Sequence, residues 1–178
     1  NVYNKQKKYS TAEAYYMKSL QFINEFYGEG AAVSSAVAIL YNLAINYRHM
    51  KEFNKAEDYY LRALTVKRQI SQGADSVDLA KTQCNLAINY GHMKLYNKAE
   101  DYFLQALSVY RRISQGADSV YIANTLFNLA FNYSVMKHYN KVEDYYLQAL
   151  SVYRQISQGA DSVYIADTLY NLGYNYAA

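Results

Sequence analysis

The 178-residue chain contains no proline and no tryptophan, only 7 glycines and a single cysteine. Without proline nothing forces a break in backbone hydrogen bonding, and so few glycines suit a chain that is helical almost throughout. One cysteine, Cys84, excludes an internal disulfide framework and fits a reducing compartment, so a cytoplasmic location is expected. No apolar run approaches the ~20 residues needed to span a bilayer, and no signal-peptide pattern opens the sequence. Neither sign of charge prevails: 18 Lys and Arg stand among 15 Asp and Glu, scattered as on a solvated helical surface, which argues against nucleic acid as a partner. Gly-rich phosphate loops, Ser/His/Asp arrangements and nucleophile elbows are missing as well, so neither catalysis nor a cofactor is expected. Cys84, His49 and His92 do not have the spacing of a metal site and read as ordinary surface or groove residues. Tyrosine, by contrast, is plentiful, at 23 residues.

The chain repeats itself. The segment SQGADSV starts at Ser71, Ser114 and Ser157, a spacing of 43, and NLAINY, NLAINY, NLAFNY and NLGYNY start at Asn42, Asn85, Asn128 and Asn171 with the same step. A period of this size marks stacked supersecondary units, none of which buries its apolar face alone. Each period reads as two helices. The second, helix B, is expected to begin at Asn54, Asn97 and Asn140, each followed three residues later by Glu57, Glu100 or Glu143, the spacing of a capping box; Ser10 and Glu13 repeat the signal. Apolar residues then recur at helical spacing (Ala99, Tyr102, Phe103, Ala106, Leu107, Tyr110), and left-handed caps are expected at Gly73, Gly116 and Gly159. The next helix A is expected to start on Asp118 or Ser119 and run to about Met136. The pattern predicts eight helices, over residues 10–27, 33–50, 54–71, 76–93, 97–114, 119–136, 140–157 and 162–178.

Tyr133 and Tyr139, then Val142, Tyr146, Ala149 and Leu150, with Leu-Ala or Leu-Gly at Leu129-Ala130 and Leu172-Gly173, resemble a tetratricopeptide repeat. The period is longer than the ~34 residues usual for that repeat. The NLA…Y and Y..AE..Y..AL signatures are similar to the lengthened repeats of the kinesin-light-chain and nephrocystin type. Departures include the missing early Trp, the missing closing Pro, and Lys51, Lys94 and Lys137 where the family places Gly between its helices. The resemblance implies an all-α fold, a right-handed α-solenoid of antiparallel helix pairs, in one array over residues 1–178. The chain opens within the tail of a helix A and closes inside another, so it is expected to be a fragment of a longer protein.

The copies diverge in one place. Between the 43 residues from Ser71 and those from Ser114, 12 positions differ, and five of them (Lys81/Asn124, Cys84/Phe127, Ile88/Phe131, Gly91/Ser134, His92/Val135) fall on a single stripe of helix A. The step to the next copy changes the same five places, giving Asp167, Tyr170, Tyr174, Ala177 and Ala178. Core positions of stacked copies must keep fitting one another, so the stripe is not core. Drift on a solvent face is one reading, and packing against the neighbouring helix A another. The aromatics it collects favour a groove that grips side chains.

In the resembled family this stripe lines the concave side, where extended peptides bind. That implies a groove formed by Tyr41, Phe127 and Tyr170, by Ile88, Phe131 and Tyr174, and by Lys81, Arg48 and His92. Beside it stands a constant series, Asn42, Asn85, Asn128 and Asn171. An amide both donates and accepts, so these residues suit a peptide main chain of any sequence; the alternative is that they bridge repeats structurally. A second series, Asn46, Asn89, Asn132 and Asn175, faces the helix pair and reads as structural. No lysine clamp for a terminal carboxylate is evident, which favours a ligand held along its length. The expected function is protein–protein interaction without nucleic acid or membrane. The rivals are a self-stacking spacer, with end-to-end self-association, and a regulatory domain of a larger protein.

Overall fold

The computed structural model describes residues 2–26, 33–115, 119–157 and 163–177. Among these residues there are eight helices and no strand: α1 (Val2–Phe26), α2 (Val33–His49), α3 (Phe53–Ile70), α4 (Val77–His92), α5 (Tyr96–Ile113), α6 (Val120–Val135), α7 (Tyr139–Ser157) and α8 (Val163–Ala177). Helices α2, α4, α6 and α8 are of the A kind, and α1, α3, α5 and α7 of the B kind. Helices α2, α4 and α6 each pack on the B helix before and the B helix after, α8 packs on α7, and successive A helices α2, α4 and α6 also touch one another. The A helices therefore stand side by side along one face of the array.

The first helix differs from expectation. It runs unbroken from Val2, so Ser10 lies inside it and caps nothing. The Asn caps are also corrected. Helix α3 starts at Phe53 and α5 at Tyr96, behind N-caps Glu52 and Leu95 that make no side-chain bond. The cause lies in the connection. Lys51, Lys94 and Lys137 adopt φ of 63°, 60° and 61°, the left-handed conformation for which the family uses Gly. The amide of the following residue then reaches back to the carbonyl five residues earlier (Glu52 to Tyr47, Leu95 to Tyr90, His138 to Tyr133) at 2.9–3.0 Å. This tight stop starts helix B one residue early and leaves Asn54, Asn97 and Asn140 exposed in the first turn.

At the other connection, Ser76 and Ser119 cap as expected, accepting from Leu79 N and Ile122 N at 3.1 and 3.3 Å. The left-handed residues there are Gln72 and Gln115, with Gly73 following at φ 83°. The caps expected at Gly116 and Gly159, and the alternative start at Asp118, lie outside the described residues.

Between helices the core is tyrosine and alanine. Ala56, Ala63, Ala99, Ala106 and Ala149 are fully buried, and their size lets the paired helices approach closely. The glutamates expected in capping boxes serve instead as latches between repeats. Glu13, Glu57 and Glu100 accept from the hydroxyls of Tyr47, Tyr90 and Tyr133 at 2.6–2.8 Å, and Glu143 accepts from Tyr176. Each of the first three rings also stacks on a tyrosine of the following B helix (Tyr59, Tyr102, Tyr145) with centroids 5.3–5.6 Å apart, beneath Lys55, Lys98 or Lys141. Asn46, Asn89 and Asn132 are buried and donate to the carbonyls of Tyr9, Phe53 and Tyr96 at the preceding B helix. Their expected structural role is thereby seen directly.

Candidate functional site

The variable stripe of the A helices forms a row of three cavities. The first, about 410 Å³, lies between α2 and α4 and is lined by Tyr41, Lys67, Asp78 and Lys81 among others. Lys67 and Lys81 stand over the Tyr41 ring, 5.3 and 6.0 Å from its centroid, and Lys67 donates to the Asp78 carbonyl at 3.0 Å. Burial lowers the Lys67 pKa; the Lys81 charge adds to that, and Asp78 opposes it. Burial raises the pKa of the Tyr41 hydroxyl against the pull of Arg48.

The second cavity, about 440 Å³, lies between α4 and α6 with Tyr96 and Phe103 of α5 as its floor. It brings together four of the expected site residues, Ile88, His92, Asn128 and Phe131, and adds Gly91 and Val135. Phe131 is 56% exposed, although its ring borders this space. His92 stacks on Phe53 at 5.3 Å, and burial, with the Arg48 charge, lowers its pKa so that the imidazole is held toward its neutral form.

The third cavity, about 320 Å³, lies between α6 and α8 and is lined by Asn124, Phe127, Asn128, Tyr153, Tyr164 and Asp167. Phe127 meets Tyr146 edge-on at 5.3 Å, and Tyr153 donates to Asn124 at 2.5 Å. Burial pushes the Tyr153 hydroxyl up to about 12. Tyr170 and Tyr174 stand exposed on α8, at 74% and 69%, outside all three cavities.

The asparagine series is not uniform. Asn85 is engaged within the array: its nitrogen donates to the Tyr41 hydroxyl and to the Lys81 carbonyl, both at 2.9 Å, and its oxygen accepts from Arg48 at 3.1 Å. Asn171 donates to the Asp167 carbonyl at 2.7 Å. Asn42 and Asn128 are half-buried, and their side chains make no hydrogen bond among the described residues. Lys67, Tyr153 and Tyr164 are cavity residues that the helix-A comparison missed. The same comparison applied to helix B and to the start of helix A finds them, because Lys67, Tyr110 and Tyr153 occupy one place, and Asp78, Tyr121 and Tyr164 another.

The sequence model of the tetratricopeptide repeat matches residues 1–69, 35–112 and 78–155, so the chain belongs to the tetratricopeptide repeat family. Solved structures agree on the fold. BtubC (BKLC) from P. vanneervenii superposes with a TM-score of 0.85 at 23% identity, over 98% of this chain and 67% of that one. Putative kinesin light chain TPR-like repeats of Podosopora anserina superpose at 0.73 and 10% identity, over 99% and 85%. A Rap protein in complex with competence and sporulation factor superposes at 0.69 and 17% identity over 97% of this chain, which spans only 44% of its length. Among curated proteins none matches by sequence. No helix among the described residues is long and apolar enough to cross a membrane.

Proposed function

We propose that the chain is a non-enzymatic interaction module that holds an extended segment of a partner protein along the helix-A face of the array. Tetratricopeptide repeats are protein-interaction scaffolds, and a Rap protein of this fold is known in complex with competence and sporulation factor. One observation carries the reading: of the residues at which near-identical copies diverge along helix A, Lys81, Ile88, Gly91, His92, Asn124, Phe127, Phe131, Val135 and Asp167 line the three cavities. Side-chain pockets in series along adjacent A helices fit a ligand held by its length. The single cysteine supports a reducing, cytoplasmic compartment for the module.

A peptide-display selection against the chain, run beside a Phe131→Ser/Tyr174→Ser variant, tests this. Both rings are exposed, so the variant should fold; enriched peptides should bind it at least about tenfold more weakly, a loss of ~1.4 kcal/mol. Peptides that bind parent and variant equally would refute the groove.

A further inference from the structure

We propose that Gly91 opens, and Arg48 closes, a seat for one large apolar side chain of a bound segment, so that the ligand is anchored between α4 and α6 and not one repeat earlier. The inference rests on the groove reading above and names the residues that set its register. Arg48 and Gly91 occupy the same place in successive copies, as do Tyr41 and Cys84. At the first interface Arg48 donates to the Asn85 oxygen and Tyr41 accepts from the Asn85 nitrogen, so that amide is taken. One repeat later both partners are withdrawn together. Gly91 has no side chain, and the Cys84 thiol is paired with Thr125 at 3.4 Å. Asn128, the counterpart of Asn85, has neither donor nor acceptor engaged among the described residues.

The space Arg48 would occupy is empty here. A Cβ added at Gly91 meets nothing within 4 Å, and the 440 Å³ cavity beside it falls within the ~300–1,000 Å³ of ligand sites. Ile88, Phe131, Val135 and Phe103 make its walls apolar, and its only titratable cation, His92, is held toward the neutral form. A charged side chain would lose hydration there without an ionic partner. A large apolar side chain fits, and the peptide group attached to it supplies the N–H and the C=O that the Asn128 amide lacks. The occupant is therefore a Phe-, Tyr- or Leu-sized residue within an extended segment.

The test uses N-acetyl-L-phenylalanine N-methylamide, one apolar side chain with its two peptide groups, titrated into the full chain and followed by methyl NMR. Saturable shifts are expected at Ile88 and Val135 but not at Ile45, the counterpart of Ile88 beside Arg48. Gly91→Arg restores the side chain of the preceding copy and should weaken binding about tenfold or more. Arg48→Gly should open the earlier seat and bring shifts at Ile45. If Gly91→Arg fails to fold by circular dichroism, Phe131→Ala supplies the same comparison, since its ring lies outside the core. No shift in the parent, or equal affinity for parent and Gly91→Arg, overturns the proposal. Display-selected peptides that bind Gly91→Arg as well as the parent, yet lose affinity on the stripe variant, overturn the anchor and leave the groove standing.

Discussion

The guanidinium of Arg48 on α2 donates to the side-chain oxygen of Asn85 on α4 at 3.1 Å, so the Asn85 amide is occupied by the protein itself. Four identical asparagines thus hold different positions in the account. Asn85 joins two repeats, while Asn128 faces open space with its hydrogen-bonding capacity unused.

Removing these two side chains separates the roles. Asn85→Ala removes the side-chain partner shared by a half-buried guanidinium and a half-buried tyrosine hydroxyl, leaving Arg48 only the longer bond to the residue 85 carbonyl, and should lower stability by about 1–2 kcal/mol. Asn128→Ala breaks nothing in the free protein and should stay within about 0.5 kcal/mol of the parent, helped by the better helix propensity of Ala. Urea melts of the two variants check this; equal losses would show that Asn128 too is structural.

The left-handed lysines predict a gain. Lys94 at φ 60° carries a Cβ in a conformation that costs L-residues roughly 1–2 kcal/mol. Lys94→Gly should therefore raise stability, by about 0.5–1 kcal/mol after the unfolded-state entropy of glycine is counted. A lower melting temperature would mean that the lysine side chain contributes more than its backbone strain costs.

Tyrosine sets the alkaline limit. Burial pushes Tyr146 and Tyr153 up to about 12, and burial together with an accepting carboxylate raises Tyr47, Tyr90 and Tyr133 as well. The folded chain holds protons that the unfolded chain releases near pH 10, so this contribution to stability is intact below pH 10 and is lost as the pH rises above it. Phenolate absorbance from the buried rings should appear only above pH 10, together with loss of helicity. A single step near pH 10 with helicity unchanged would contradict the packing described.

Cys84 should be a slow nucleophile. Burial raises its thiol from the ordinary 9.0 to about 11, against the hydrogen bond with Thr125. Thiolate is the reacting form, so iodoacetamide at pH 8 should label it about a hundredfold more slowly than a free thiol. Labelling at the free-thiol rate would place Cys84 in the open.

Period, helix content and pairing were legible in the sequence because the apolar positions repeat at helical spacing and recur every 43 residues. Ser76 and Ser119 were legible as caps because the side chain itself makes the bond. The start of helix B was misplaced, because Asn97 and Glu100 satisfy a capping pattern equally well on paper. The left-handed turn at Lys94, which no composition rule favours, moves the start to Tyr96 and frees Glu100 for Tyr133. The stripe was legible as a place of divergence through Cys84, Phe127 and Tyr170, of which Phe127 lines a cavity. The difference between Asn85 and Asn128 was not, because it depends on what the neighbouring repeat places opposite each amide.

The most direct test of the account is where a selected peptide lands on the array. Helix B carries a constant exposed row, Leu61, Leu104 and Leu147, as an alternative surface to the variable stripe. In methyl NMR with a display-selected peptide, shifts concentrated on Ile88 and Val135 are the predicted result. Shifts concentrated on Leu61, Leu104 and Leu147, with Ile88 and Val135 unmoved, would contradict the central claim that the helix-A face is the one that binds.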